Sequence, residues 1–230
     1  MANVNCQAQI LLSNGEVVSM SATVAEGTVT ELTTSTTYSV SATSIGQFAE
    51  GKSIVGFIQP VSAPNGISYA YINRRGEIAA ICPVQNMGQV NSSIVPLLGL
   101  ASFQLQAGDT LQVMANTATD REFAYCVRTS KNVNAIFAGT PSGAGNTDLT
   151  HILSGQGVGT SLVGQTIVQQ FATSIDGSKL STGGVLILDD KGLPIGGCTA
   201  TSPAQQLIRN SATNMRAIGL NFVGRVTTSS

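Results

Sequence analysis

The segment Tyr69–Val84, YAYINRRGEIAAICPV, decides how the rest of this chain is interpreted. It consists of an apolar run, the polar turn Asn73–Gly76 and a second apolar run that stops at Pro83. Two apolar runs that flank a short turn containing glycine are typical of a β-hairpin. The sequence therefore predicts two antiparallel strands in this segment.

A second segment has the same layout. Val185–Ala200, VLILDDKGLPIGGCTA, contains an apolar run, a polar turn that ends at Gly192, and another apolar run. The starting residues differ by 185 − 69 = 116 positions, and Cys198 lies 198 − 82 = 116 positions after Cys82. The agreement predicts a second hairpin equivalent to the first.

Other segments pair at similar offsets. Ala8–Val24 pairs with Ala124–Thr140 at 124 − 8 = 116, Leu100–Met114 with Arg216–Ser230 at 216 − 100 = 116, and Gly51–Val55 with Gly164–Val168 at 164 − 51 = 113. We interpret the chain as a tandem duplication of one unit of ordinary domain size, with domains at 1–118 and 119–230.

The fold class predicted for both units is all-β, a β-sandwich or barrel with short helical turns only. Short strand-like runs alternate with turns such as Asn14-Gly15, and no amphipathic run of a dozen helix formers is present. The phrase FQLQAGDTLQVM, Phe103–Met114, resembles the last hairpins of jelly-roll domains, which implies a jelly-roll-like unit. Gly139–Gly164 is predicted to be a long glycine-rich loop, with a short helix at Thr147–Leu153.

Composition limits the classes of partner. Charged residues make up 10% of the 230 residues, hydrophobic residues 42%, and the net charge is −1. Soluble proteins carry about 25% charged residues. No basic face is available for nucleic acid, and a near-neutral surface favours association. A surface used largely for assembly and a neutral secreted β-domain both fit this composition.

The N-terminus and the cysteines bear on location and redox chemistry. Met1–Asn5 lacks a basic segment followed by a long apolar one, and no apolar run reaches the length of a membrane span. We therefore expect synthesis in a cytoplasm and no membrane contact. The four cysteines form no CxxC pair, so zinc is not expected. Cys82 and Cys198 are predicted to be buried thiols, with a disulfide between them as the alternative.

One nucleotide-binding pattern is present. Gly46–Ser53, GQFAEGKS, fits GxxxxGK[ST], and Val185–Asp190 is similar to a Walker B strand. A P-loop needs a helix that begins at the lysine, because the helix dipole and free N–H groups hold the phosphate. Ile54–Pro60 is instead rich in β-branched residues and predicts a strand, and Gln165 stands at the position equivalent to Lys52. We interpret the match as accidental.

Other catalytic arrangements have little support. His151 is the only histidine; Asp148 or Asp176 could complete a Ser-His-Asp set, but no GxSxG elbow is present. Glu77 and Asp189–Asp190 could supply paired carboxylates, although aspartates before Lys-Gly are more simply a β-turn. We therefore assign no catalytic, cofactor-binding or metal-binding residue and expect no enzyme.

The expected function is structural. Tandem β-domains with few charges and no credible active site are typical of a virion component, most specifically a capsid decoration (cement) protein of a bacteriophage or archaeal virus. We expect a homo-oligomer that contacts other capsid or virion proteins, with Gly139–Gly164 as a candidate contact arm. A receptor- or glycan-binding β-module of a tail or surface fibre is the main alternative, and a P-loop enzyme is the remote one.

Overall fold

The computed structural model describes residues 3–25, 27–35, 41–58, 67–82, 103–115, 123–139, 146–174, 184–189, 191–199 and 216–220. The elements of the first half are β1 Asn3–Leu12, β2 Val17–Ala25, β3 Val29–Thr34, α1 Ile45–Phe48, β4 Ser53–Ile58, β5 Ile67–Arg74, β6 Glu77–Cys82, β7 Phe103–Gln104 and β8 Thr110–Ala115. Those of the second half are β9 Phe123–Thr129, β10 Asn134–Gly139, β11 Asn146–His151, α2 Val158–Ser161, β12 Ile167–Ser174, β13 Gly184–Leu188, β14 Pro194–Thr199 and β15 Arg216–Leu220.

The prediction of a mostly β protein with short helical turns is confirmed. The first eight strands form one antiparallel sheet in the order β6-β5-β8-β3-β2-β1-β4-β7, which is nearly closed into a barrel. The alternating polar and apolar residues of β1 follow the two faces of the sheet, since Cys6, Ala8 and Ile10 face inward while Gln7 faces solvent. The hairpin predicted at Asn14-Gly15 joins β1 to β2.

The second sheet has the order β12-β9-β10-β11-β15-β13-β14. Read from its other end, this order matches that of the first sheet, with β9 in the place of β1, β10 of β2, β11 of β3, β12 of β4, β13 of β5, β14 of β6 and β15 of β8. Only β7 has no counterpart among the described residues. In both sheets a one-turn helix lies between the third and fourth strands.

Residues at the same place in the two pairing ladders are called equivalent below. The agreement extends to irregularities: the register shifts beside Leu12 in the first sheet and beside Ile167 in the second. The β1–β2 turn has Gly15 at φ 83°, and the equivalent turn has Asn132 at φ 61°. Asparagine tolerates this left-handed conformation better than most residues with a Cβ.

The hairpins are equivalent with a small correction to the predicted register. Cys82 pairs with Ala70, and Cys198 pairs with Val185. The offset is therefore 198 − 82 = 116 for the second strand of the hairpin and 185 − 70 = 115 for the first, because the second hairpin has one more residue. The prediction that Tyr69 overlays on Val185 is wrong by one residue, which reverses the face of the sheet.

The offset predicted for the first hairpin is wrong by one residue, because Ala124 is equivalent to Gln7 and not to Ala8, at 124 − 7 = 117. The offset predicted for the last strand is wrong as well. Leu111 pairs with Leu32 in the first sheet, and Ala217 pairs with Leu149 in the second. Ala217 is therefore equivalent to Leu111, at 217 − 111 = 106 instead of 116. The predicted domain boundary between residues 118 and 119 lies outside the described residues.

Two hydrophobic cores lie on the inner faces of the sheets. The first core includes Ile10, Met20 and Leu32. The second includes Val127, Phe137 and Ile187. Tyr125 is a fully buried member of the second core, and its hydroxyl donates to the Gln170 side chain at 2.5 Å, so this buried phenol keeps a polar partner.

A third core joins the two sheets. Its buried members are Tyr69, Tyr71, Ile78 and Ile81 from the first sheet, and Ala124, Cys126, Ile136 and Phe171 from the second. These side chains alternate with residues of the inner cores, so β5, β9 and β10 are buried on both faces. The outer face of the β5–β6 hairpin therefore packs against the outer face of β9, β10 and β12.

Candidate functional site

The P-loop pattern does not have P-loop geometry. Gly46 lies in α1, a single turn, and the strand β4 begins at Ser53 directly after Lys52, as the sequence predicted. Lys52 Nζ contacts Glu16 Oε2 at 2.7 Å on the surface, and this hydrogen bond lowers the pKa of Glu16. A strand after the lysine supplies neither the helix dipole nor the row of free N–H groups that a phosphate requires.

Gly46 has a packing role that the motif does not imply. It is buried, and its N–H donates to Asp109 O at 3.0 Å. A Cβ at this position would collide with Gln106 O and lie 2.6 Å from Asp109 N. The equivalent Gly159 of α2 is buried as well. The first glycine of the pattern is therefore explained by the close approach of two backbone segments.

The strongest charged arrangement is a pair that closes the first sheet. Asp109 is fully buried, and both of its carboxylate oxygens accept from Arg74, at 2.7 and 2.6 Å. Arg74 also donates to Gln104 O at 2.8 Å and lies over the Phe103 ring, 4.7 Å from its centroid. The hydrogen bond to Asp109 raises the pKa of Arg74. With every partner of Arg74 supplied by the chain itself, this cluster is structural.

His151 ends strand β11 and does not sit in a loop. Its ring meets Phe137 edge-on, with centroids 5.4 Å apart, and the Ser154 N–H donates to its Nδ1 at 3.3 Å. Burial lowers the pKa of His151, so its neutral form is favoured. Asp148 lies on the same strand, and Asp176 lies outside the described residues. The contacts of His151 are those of a packing residue.

The candidate carboxylates belong to turns. Asp189 Oδ1 accepts from the N–H of Lys191 at 2.9 Å and of Leu193 at 2.8 Å, which confirms the turn predicted here. Glu77 is exposed at the start of β6, where it pairs across the ladder with Arg74. Asp190 lies outside the described residues. The structure therefore brings Glu77 and Asp189 to the turns of two different hairpins.

Cysteines and metal ligands give no site. Cys6 and Cys82 are buried thiols of the first core, and burial raises the pKa of Cys6 to about 11. The burial predicted for Cys82 is confirmed, and Cys82 forms no disulfide; the side chain of Cys198 lies outside the description. Within the described ranges, no three His, Cys, Asp or Glu residues are grouped as metal ligands.

The proposed contact arm is not a free loop. Gly139–Gly164 includes strand β11 at Asn146–His151 and helix α2 at Val158–Ser161, and the helix predicted at Thr147–Leu153 is wrong. Leu149 is 2% exposed in the second core, because β11 pairs with both β10 and β15. Thr147 and Thr150 favour a strand here. Residues 140–145 lie outside the described residues.

The interface between the sheets is the feature of the molecule that most resembles a functional contact. Its buried core is largely apolar, and Asn134 Nδ2 donates a hydrogen bond to Ala79 O at 3.0 Å. Ala79 lies where the β5–β6 ladder changes register, so its carbonyl is available to a neighbour. Asn134 Oδ1 is buried without a partner within the described part of the chain.

Sequence reasoning missed this interface, although a signal was present. The runs Tyr69–Ile72, Ala124–Val127 and Ala135–Ala138 contain no polar alternation beyond tyrosine hydroxyls, which is typical of strands buried on both faces. In contrast, β1 and β2 alternate strictly between apolar residues and Gln, Asn, Ser or Thr over most of their length. The difference between the two patterns marks the strands that contact another sheet.

No protein-family model, curated protein or solved structure matches this chain. Across the described ranges, no helix has both the length and the apolar character needed to cross a membrane. The function is therefore argued from the geometry of the two sheets and their interface.

Proposed function

We propose that this chain is a structural subunit of a protein assembly, and that the assembly is a viral particle to which the chain binds as a capsid decoration (cement) protein. The observation that carries the proposal is the packing of two sheets of identical strand order through neutral outer faces. A molecule built from stacked β-units presents broad sheet surfaces for further protein contacts.

The distribution of charge supports the same proposal. The ion pairs found in the described residues are Lys52–Glu16 and Arg74–Asp109, and both lie within the first sheet. Neither pair takes part in the contact between the sheets, whose buried core among the described residues consists of hydrophobic side chains. A surface with 10% charged residues favours apolar and neutral polar contacts over charge steering.

We further propose that the two units arose by tandem duplication. The equivalent register shifts, the left-handed turn residues Gly15 and Asn132, and the buried helix glycines Gly46 and Gly159 support a common origin. Unequal hairpins and loops account for offsets between 106 and 117 residues. Duplication places two similar surfaces on one chain, a useful property for a protein that bridges subunits of a shell.

Mass spectrometry of purified particles tests the proposed function. We expect this chain at a fixed ratio to the major shell protein, retained after the particles are banded in a density gradient. Loss of the chain should lower the temperature at which particles release their contents. A chain that is absent from particles, or that binds a glycan array with no particle association, would contradict the decoration role and favour the receptor- or glycan-binding module.

A further inference from the structure

The interface between the sheets joins two different surfaces. The hairpin face of the first sheet consists of Tyr69, Tyr71, Ile78 and Ile81, and the strand face of the second sheet consists of Ala124, Cys126, Asn134, Ile136, Ala138 and Phe171. A contact between two unlike surfaces on equivalent units is head-to-tail, and such a contact continues into rings or filaments unless something stops it.

Each unit carries an equivalent of the surface that it does not use. The first sheet has a strand face on β1, β2 and β4, and the second sheet has a hairpin face on β13 and β14. Neither face contributes a described residue to the third core, and in this sense both are called free faces; they lie at opposite ends of the head-to-tail series. They would meet between neighbouring copies of the chain if the interface repeated.

The strand face of the first sheet carries polar residues at most of the contact positions, whereas Ile58 stands at the position of Phe171. The ladder places Gln9 at the position of Cys126 and Gln7 at that of Ala124. Ser19 takes the position of Ile136, and Ser21 that of Ala138. Gln7 is exposed, and the other three are partly exposed. Burial of these polar groups against an apolar face would cost free energy, because their hydrogen bonds to water would be lost.

The interface hydrogen bond made by Asn134 has no counterpart on this face. Val17 occupies the position of Asn134, which donates to Ala79 O in the existing contact. The valine side chain has no hydrogen-bond donor. A hairpin placed on this face would therefore leave the carbonyl at the position of Ala79 unpaired. Val17 is 41% exposed. An unsatisfied backbone carbonyl in an interface weakens the contact, because its hydrogen bond to water is lost and not replaced.

The hairpin face of the second sheet has changed in a complementary way. Gly184 takes the ladder position of Tyr69, Leu186 that of Tyr71, and Gly197 that of Ile81. Pro194 takes the position of Ile78, two of the large side chains correspond to glycine, and Leu186 is partly exposed. Aromatic side chains supply much of the burial in such contacts, so this face offers less area to a neighbour.

We infer that residue exchanges on both free faces limit the head-to-tail interface to one contact per chain, so that the series stops at two units. Further copies of the chain, and the shell of the proposed function, are contacted through other surfaces. The inference rests on the ladder equivalence of the sheets and holds whether or not the assembly is viral.

Two complementary variants test the inference. The first restores the strand face with Gln7→Ala, Val17→Asn, Ser19→Ile and Ser21→Ala. The second restores the hairpin face with Gly184→Tyr, Leu186→Tyr and Gly197→Ile. We expect each variant alone to keep the wild-type mass by light scattering, and an equimolar mixture to double it. All seven changes in one chain should produce open chains or rings.

The control for each variant is its circular dichroism spectrum and melting temperature, which identify a variant that has lost its fold. If both variants are folded and their mixture keeps the wild-type mass, the inference is overturned. A second measurement needs no restored face: Ser19→Cys and Leu186→Cys chains are mixed under oxidising conditions. A mixture of Thr23→Cys and Leu186→Cys chains is the control. If the Ser19→Cys and Leu186→Cys mixture forms cross-links no faster than the control, the inference is supported, and if it forms them faster, the inference is contradicted.

Discussion

Asp109 and Lys52 are charged residues in very different environments. Asp109 is 0% exposed and accepts from Arg74 and from the Gln106 N–H, whereas Lys52 lies on the surface with 37% of its side chain exposed. Asp109→Asn leaves the Arg74 guanidinium without its counter-charge. We expect a loss of about 2–3 kcal/mol of unfolding free energy, measured by urea denaturation.

Lys52→Ala is the matched control for this change. Its partner Glu16 is also exposed, and surface substitutions alter stability by less than about 0.5 kcal/mol. If Asp109→Asn is as mild as Lys52→Ala, the pair that closes the first sheet does not have the structural role assigned to it. Measurable ATP hydrolysis that Lys52→Ala abolishes would contradict our interpretation of the P-loop pattern.

Gly46 should be intolerant of a side chain. Gly46→Ala places a methyl group against the backbone of Gln106 and Asp109, and overpacking of this kind costs about 1–3 kcal/mol. Gly108→Ala, at a glycine whose added Cβ meets nothing within 4 Å, is the control and should have little effect. Thermal melts of the two variants check the prediction, and equal melting temperatures would refute the close approach.

His151 should make stability depend on pH. Because burial lowers its folded pKa below the ordinary value of 6.5, the unfolded chain binds the proton more readily. The contribution of His151 to the free energy of unfolding is complete above about pH 6.5, and it is lost as the pH falls through the pKa of the folded state. His151→Thr installs the residue of the equivalent position, Thr34, and should flatten the stability curve between pH 7 and pH 5. An unchanged slope in that window would contradict this assignment.

At the scale of the elements, Ile136 and Ser19 occupy equivalent places with opposite environments. Ile136 is fully buried between the sheets, and Ser19 lies on the partly exposed face of β2. Ile136→Ser should cost about 2–4 kcal/mol, because it removes apolar burial and places a hydroxyl in the third core. It should also uncouple the sheets, so that calorimetry resolves two transitions.

Ser19→Ile is the reciprocal control. It adds an apolar side chain where the surface contacts solvent, so the melting temperature should change little. If Ile136→Ser melts in one transition with wild-type stability, the third core does not couple the sheets. If Ser19→Ile destabilises the protein as much as Ile136→Ser, the two faces are not distinct in the way the structure describes.

The elements that could be predicted from sequence are those with local causes. Asn14-Gly15, Asn73–Gly76 and the Asp189 turn contain the residues that tight turns require, and each joins two strands as expected. The β-branched run after Lys52 forms β4 for the same kind of reason. At these places the residues of the segment itself were sufficient to predict its structure.

The elements that could not be predicted depend on distant partners. The sequence of Asn146–His151 is polar and begins with residues that often cap helices. The segment is nevertheless a strand, because it pairs with β10 and with β15, and β15 lies far away in the sequence. Val185 is equivalent to Ala70 and not to Tyr69, because the two hairpins differ in length by one residue. A single constant offset along the chain cannot represent this difference. No active site was assigned from sequence, and the interface between the sheets is recognisable only once burial on both faces is considered.

At the scale of the whole molecule, the account requires association through neutral surface. Ion pairs exposed to solvent weaken with salt, since screening acts over about 8 Å at physiological ionic strength. Contacts made by Ser, Thr, Asn, Gln and apolar groups do not weaken with salt. High salt slightly strengthens the association of apolar surfaces. A deletion of Thr147–Thr160 within the candidate contact arm Gly139–Gly164 would not test association, because it removes most of β11 and α2 from the second sheet.

Light scattering of the purified full chain, first in low salt and then in about 1 M NaCl, tests the assembly claim most directly. In low salt we predict an oligomer, with a mass of two or more times the 23.6 kDa of one chain. In high salt this mass should stay the same or rise. A strict 23.6 kDa monomer that also fails to bind particles would contradict the account. So would an oligomer that dissociates in 1 M NaCl, because its contacts would then be charged.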